Sequence, residues 1–334
     1  MRRKWLWLLI PVFIFGLYLA GPSPSTPVYD TLMPQVPTSP AALEQYVSAM
    51  ESQHKLKPDN QARIVWAGGD SLKQKTPYSL VYLHGFSASQ AEGDPVHRNI
   101  AREFGCNLYL SRLAEHGIDT ADQLVNLTAD NLWESSKQAL AIGRSLGEKV
   151  ILIGTSTGGT LALKLAATYP DKVAGLILLS PNIKIFDPKA WILNNHWGLQ
   201  VARKIKAGNY YVSADQGPLD RQYWNGTYRL EALTNLEELL ETSMNEKTFS
   251  AIRQPTLLLY YYKDEVHQDS TVSVAAALDM FDKLGTDSAL KQKKDIPQAG
   301  NHVIGSFIKS RDVEGVQHAV ETFMVTVMKM KPRP

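Results

Sequence analysis

Apolar positions along this chain fall into two rhythms from residue 41 onward. Short apolar runs rich in Val, Ile, Leu and Tyr predict strands at 63–66, 78–83, 107–110, 150–153, 173–179 and 256–262, and a further strand is read at the polar stretch 290–296. Between them, apolar residues recurring every three to four positions predict helices at 41–55, 96–104, 129–146, 157–168, 272–284 and 313–330. The runs at 150–153 and 173–179 are apolar without alternation, as a parallel strand covered on both faces should be. Strand and helix taken in turn predict an α/β fold with a doubly wound, mostly parallel sheet. One stretch breaks the rhythm. Between Leu179 and Thr256 no strand pattern recurs, and the segment is too long for a loop. It predicts an inserted helical cap or lid at about 181–253, carrying Trp191, Trp197, Tyr210, Tyr211, Tyr223, Trp224 and Tyr228. Those aromatics have two uses open to them: packing the insertion's own core, and lining a pocket.

The N-terminus has a third pattern. Arg2, Arg3 and Lys4 precede the uncharged run 5–20, in the order of a basic n-region and an apolar h-region. The run is short for a membrane span, which needs about 20 residues. Bulky Tyr18 and Leu19 make a poor cleavage site, although a cut after Ser25 is available. An uncleaved signal anchor is therefore favoured over a cleaved signal peptide. Either form places the rest of the chain outside the cytoplasm, and the lone cysteine together with an anchor suits a bacterial cell envelope. Residues 21–40 contain six prolines and read as an extended tether, with the globular domain at 41–334.

Composition narrows the function classes. Of 334 residues, 44% are hydrophobic and 20% charged, an ordinary globular balance. Lys and Arg number 35 against 33 Asp and Glu, so no electrostatic footprint for nucleic acid exists. Cys106 is the single cysteine, which excludes an intrachain disulfide and any zinc site needing two thiolates from this chain. Asn126-Leu127-Thr128 and Asn225-Gly226-Thr227 match the glycosylation sequon, a common pattern that matters only in a eukaryotic secretory route.

The candidate chemistry centres on Ser156. The strand 150–153 runs into Gly154-Thr155-Ser156-Thr157-Gly158-Gly159, followed by a helix: G-x-S-x-G in strand–turn–helix context. Such a turn lifts the serine Oγ clear of the sheet, and glycines stand where side chains would collide. A serine hydroxyl needs a base to take its proton. Among eight histidines, His302 follows the last strand in Ala299-Gly300-Asn301-His302 and precedes the closing helix. The imidazole in turn needs a carboxylate. Asp264, just past the strand 256–262, is the first choice, with Glu265 and Asp269 as fallbacks. No carboxylate follows the preceding strand, where the chain reads Ser180-Pro181-Asn182. Two backbone donors are expected for a developing oxyanion: the N–H of Thr157 at the helix start, and the N–H of Phe86 in His84-Gly85-Phe86-Ser87. His84 reads as a brace for that loop.

These pieces resemble the α/β-hydrolase-fold serine hydrolases, in the style of the carboxylesterase and monoacylglycerol-lipase-like branch. The resemblance rests on His84-Gly85-Phe86, Arg112-Leu113-Ala114-Glu115-His116-Gly117, the serine motif, Lys263-Asp264-Glu265-Val266 and Gly300-Asn301-His302. Glu115 stands where relatives often have glycine. The resemblance implies a serine hydrolase cleaving carboxylic esters through an acyl-enzyme on Ser156, with a cap over the acyl pocket and neither metal nor cofactor. An acyltransferase, amidase or peptidase on the same scaffold is the nearest alternative, and a binding module that kept the serine motif is a second. The expected partners are a small-molecule ester and, through the N-terminal segment, a membrane.

Overall fold

The computed structural model describes residues 3–69, 72–214 and 217–333; Arg2 of the basic cluster lies outside them. The helix α1 (Arg3–Leu19) comes first, and α2 (Pro40–Glu51) opens the domain. The sheet then builds through β1 (Arg63–Val65), β2 (Thr76–Leu83), α3 (Val96–Glu103), β3 (Asn107–Leu110), α4 (Ala129–Leu146), β4 (Gly147–Thr155), α5 (Thr157–Thr168) and β5 (Gly175–Leu179). The insertion follows, with α6 (Gly198–Ile205), β6 (Tyr210–Val212), α7 (Pro218–Tyr223), β7 (Thr227–Arg229), α8 (Leu230–Ser243) and α9 (Glu246–Ala251). The chain returns through β8 (Thr256–Tyr260), α10 (Val274–Lys283), β9 (Lys291–Asp295) and α11 (Val313–Thr326).

The main sheet has seven strands in the order β1-β3-β2-β4-β5-β8-β9. All pair in parallel except β1, which runs antiparallel to β3. The central strands bury both faces by simple alternation. Val81, Leu83, Val150, Leu152, Leu176 and Leu178 join the core beneath α4 and α5. Leu80, Tyr82, Ile151, Ile153, Ile177 and Leu179 join the opposite core, against α3 and α11. This two-sided burial explains why these strands show no polar face in the sequence. The predicted elements match the observed ones closely. The insertion differs from a purely helical cap because it also holds a two-stranded antiparallel ribbon of β6 and β7.

The Pro-rich segment is extended, yet it packs on the domain instead of hanging free. The backbone N–H groups of Val28 and Tyr29 donate to Asp130 at 2.8–3.2 Å. Trp133 Nε1 donates to the Asp30 carbonyl at 2.7 Å, and the Tyr169 hydroxyl donates to the Thr31 carbonyl at 2.9 Å. Lys137, whose side chain is fully buried, donates to the Leu32 carbonyl at 2.9 Å and pairs with Glu134 at 2.8 Å. Tyr29, Met33 and Val36 extend the hydrophobic core. The packed body thus begins well before Ala41. Prolines suit this strap because an extended chain lying on a surface needs few amide donors.

Removing residues 21–40 takes the acceptor from Trp133 Nε1 and one partner from Lys137, which keeps Glu134, and uncovers the core on which Tyr29, Met33 and Val36 pack, together a loss of about 2–4 kcal/mol. A chain of residues 41–334 should therefore melt about 5–10 °C below one of residues 21–334. Differential scanning calorimetry checks this; coincident melting curves would show that the strap adds nothing.

Candidate active site

Ser156 stands at the end of β4 with φ 52° and ψ −120°. A serine there costs on the order of 1–3 kcal/mol and persists only where its surroundings hold it. Its N–H donates to Leu179 O at 3.0 Å, while its carbonyl accepts from Gly159, Thr160 and Asn182 at 2.9, 3.2 and 2.9 Å. The flanking glycines are steric necessities. A Cβ on Gly154 would lie 2.5 Å from Gly158 O, and one on Gly158 would overlap the Leu83 carbonyl. The N–H of Thr157, first residue of α5, belongs to the amides a helix leaves without an intrahelical acceptor.

The second expected donor lies in the loop after β2. The Phe86 N–H has no hydrogen-bond acceptor among the described residues. Two histidines brace its neighbours. The Leu113 N–H donates to His84 Nε2 at 3.0 Å, and His84 Nδ1 bonds to Gly85 O at 2.8 Å. The Ser87 N–H donates to His116 Nε2 at 3.0 Å, and His116 Nδ1 bonds to Ala114 O at 2.8 Å. Each ring accepts at one nitrogen and donates at the other, which requires the neutral form. Burial supplies it: desolvation holds His84 well below the usual histidine range and lowers His116 to about 4. His84 is thus the loop brace its sequence position indicates. Glu115 has φ 65°, a left-handed conformation that glycine adopts without cost.

His302 lies in the loop between β9 and α11, and its carboxylate partner differs from the first expectation. His302 Nδ1 bonds Asp269 Oδ2 at 2.5 Å. Asp269 is 1% exposed, and its other oxygen accepts from the N–H groups of Thr271 and Val272 at 2.8 and 3.1 Å. Asp264 does not approach His302. It is half exposed and binds its own turn, accepting from the backbone N–H groups of Val266 and His267 and pairing with His267 Nδ1 at 2.8 Å. The cause is a hairpin-like excursion after β8. Lys263 N–H donates to His267 O, Tyr262 bridges Gln268, and Asp269 N–H donates to Tyr261 O. The excursion carries Asp264 and Glu265 outward and returns Asp269 to the strand end. The fallback residue, not Asp264, therefore meets the imidazole. Burial pulls the His302 pKa down, but the Asp269 charge and hydrogen bond, with a smaller contribution from Glu92, outweigh it and leave the pKa raised.

Ser156, His302 and Phe86 line one cavity of about 650 Å³. Among the described residues no hydrogen bond joins Ser156 to His302, a contact that in resting hydrolases often tightens only with substrate. The insertion supplies most of the opposite wall, chiefly apolar: Ile192, Leu193, Val201, Leu233, Tyr211 and Tyr228. Of the insertion's tyrosines and tryptophans, Tyr211, Trp224 and Tyr228 face this cavity. Tyr210 and Tyr223 instead bond outward to Asp122 and Asp59, and Trp197 reaches the carbonyls of Leu17 and Tyr18. Among the described residues no cluster of His, Cys, Asp and Glu could hold a metal ion.

Known proteins bear on this geometry. A family model described as serine aminopeptidase, S33, matches residues 134–298. No curated protein matches the chain. Solved structures do. A lipolytic enzyme from the metagenome-derived pair LipS and LipT superposes with a TM-score of 0.64 at 16% identity, covering 81% of this chain and 99% of its own. A monoacylglycerol lipase from Paleococcus ferrophilus gives 0.58 at 16% identity, covering 79% and 97%. Est1E from Butyrivibrio proteoclasticus, solved with ferulic acid, gives 0.52 at 17% identity, covering 80% and 95%. This chain has the α/β-hydrolase fold.

Two features of the candidate site have little or no local signal in the sequence. Asp269 ranks behind Asp264 in the sequence because no periodicity marks the excursion that returns it to the strand end. Its signal is Asp269-Ser270-Thr271-Val272, a carboxylate placed to cap the two amides that follow. Glu92, buried in the 3₁₀ turn Gln90–Gly93, gives no sequence signal at all.

An imidazole that loses its carboxylate also loses its fixed tautomer, at a cost of about 10⁴ in turnover. Asp269→Asn should therefore lower hydrolysis of a p-nitrophenyl ester about 10⁴-fold, while Asp264→Asn stays within about threefold of the parent. Steady-state kinetics on the pair of variants decides between the carboxylates, and a collapse in Asp264→Asn alone would reverse the assignment.

Proposed function

We propose that this α/β hydrolase is a serine esterase acting on carboxylic esters with an apolar acyl or aromatic group. The observation that carries the reading is the meeting of Ser156, on its strained turn, and the His302–Asp269 pair in one largely apolar cavity. His302 Nε2 takes the proton from Ser156 Oγ as that oxygen attacks the ester carbonyl. The carbonyl electron pair moves onto oxygen, where the Phe86 and Thr157 N–H groups receive it. Collapse expels the alcohol, which takes the proton from His302. Water then attacks the acyl-enzyme and gives a proton to the same imidazole, which passes it to Ser156 Oγ as the second intermediate collapses and the acid leaves. No metal or cofactor takes part. The relatives that are lipases and esterases support this over amide cleavage.

The reading extends to location. We propose that the chain is exported and held at a membrane surface by its N-terminal segment. Among the described residues no helix is long and apolar enough to cross a membrane, and α1 carries Pro11. Val12, Phe13, Ile14, Phe15, Leu17 and Leu19 are nonetheless exposed, an apolar surface that water does not favour. The C-terminal end of α1 is held on the insertion. Trp197 Nε1 donates to Leu17 O at 3.0 Å, and the Tyr18 hydroxyl donates to Asn195 at 3.2 Å. Phe186, Val201 and Ile205 on the same insertion are both exposed and part of the cavity wall.

Turnover of p-nitrophenyl esters by residues 21–334 should rise from acetate to medium acyl lengths. Ser156→Ala should lower it about 10⁶-fold. Equal rates in both proteins would remove Ser156 from the mechanism. Faster turnover of p-nitroanilides would favour amide cleavage, and products formed on added alcohols would favour acyl transfer. The full chain should cosediment with phosphatidylglycerol-containing vesicles and residues 21–334 should not; full-length protein left in the supernatant would reject the membrane reading.

A further inference from the structure

The cavity contains a carboxyl for which the esterase mechanism has no use. Glu92 is 2% exposed and lines the cavity together with Ser156 and His302. One of its oxygens accepts the N–H of Gly85, in the loop that carries the Phe86 donor. The Tyr82 hydroxyl lies 3.5 Å from the same oxygen and 3.0 Å from Thr155 Oγ1. The other oxygen and the Ser156 Cβ stand 2.7 and 2.9 Å from the place a Cβ on Gly85 would occupy. Only glycine leaves room there, and the space it leaves separates Glu92 from the serine. A carboxyl so deeply buried is expensive to ionise, and a stability role alone would be served as well by an amide.

We propose that Glu92 is a positioning residue of this hydrolase: it holds the Gly85 amide and, through space, favours the imidazolium that forms on His302 as Ser156 loses its proton. The proposal rests on the esterase reading of Ser156 and His302. Burial, the largest influence, raises the Glu92 pKa to about 7, opposed by the Gly85 N–H, His302, Tyr82 and Lys309. Its charge therefore appears near neutral pH, while the His302 pKa is held above its ordinary value. The groups facing it are Tyr82 from β2, Gly85 N–H, and His302 and Lys309 from the segment between β9 and α11. Asp220 of α7 pairs with that lysine. Asp269 acts behind His302. On its own side, Asp94 pairs with Arg98, and His97 bonds the Gln90 carbonyl. Two carboxylates thus act on one imidazole. Asp269 fixes its tautomer through Nδ1, and Glu92 contributes charge from the oxyanion-loop side.

The sign follows. Removing the negative charge makes the imidazolium less stable, so the pKa of His302 falls and its neutral form persists to lower pH. The same loss makes His302 a weaker base.

The test is the pH dependence of Ser156 labelling by a fluorophosphonate in the folded chain, which needs no knowledge of the natural ester. Glu92→Gln keeps the volume and an oxygen acceptor for Gly85 N–H. It should move the acid limb to lower pH by about half a unit to one unit and slow labelling on the plateau about three- to tenfold. A purely structural role would leave that midpoint where it is, and an unmoved acid limb in folded Glu92→Gln overturns the proposal. Should that variant not fold, Tyr82→Phe gives the readout. Losing its hydroxyl makes Glu92 harder to ionise, so the limb should shift the same way by less, and no shift again overturns the proposal. Labelling that persists in Ser156→Ala would instead sink the esterase reading, and this inference with it.

Discussion

The site depends on one strained residue. Ser156 can hold its backbone at φ 52° only because four hydrogen bonds tie it to β5, to α5 and to Asn182. Those ties require β4 and β5 to be in register and α5 to start at Thr157, which in turn requires Gly154 and Gly158 to let backbone lie on backbone. The sheet core on both faces supplies the rigidity: Ile151, Leu152, Ile177 and Leu178 are fully buried. A strained turn in a softer setting would relax, and the serine would sink back toward the sheet.

Around that point, the polar groups divide by burial. Histidines 84 and 116 are stripped of charge by desolvation, so they serve as rigid neutral braces for the loop carrying Phe86. His302 is nearly as buried, yet the charge of Asp269 outweighs desolvation and keeps its protonated form accessible. The same residue type thus does two jobs, and the neighbouring carboxylate decides which. Glu92 reaches the opposite compromise, a carboxyl whose ionisation burial delays to about 7.

The insertion and the strap give the domain its shape around the cavity. The insertion closes the apolar wall with Tyr211, Tyr228 and its aliphatic residues. The strap of prolines crosses α4, satisfies Trp133 and Lys137, and leads from α1 to the domain. The position of α1 on the insertion is thereby coupled to the core, not set by a loose linker.

The amino-acid sequence by itself determined the alternation of strands and helices, the doubly wound sheet, the place of the insertion, the serine turn and the choice of His302. All of these are read from residues close together in the chain: an apolar run, a glycine two positions from a serine, a histidine just after a strand. Tertiary structure alone decided three things. It brought Asp269 instead of Asp264 to the histidine, because the excursion after β8 closes through bonds among Tyr261, Lys263, His267 and Asp269 that no periodicity announces. It turned the Pro-rich tether into a packed strap, because the partners that receive it, Asp130, Trp133 and Lys137, lie about a hundred residues away. It put Glu92 beside Ser156, because a carboxyl's neighbours are set by where strands end in space, and local pattern carries no record of that.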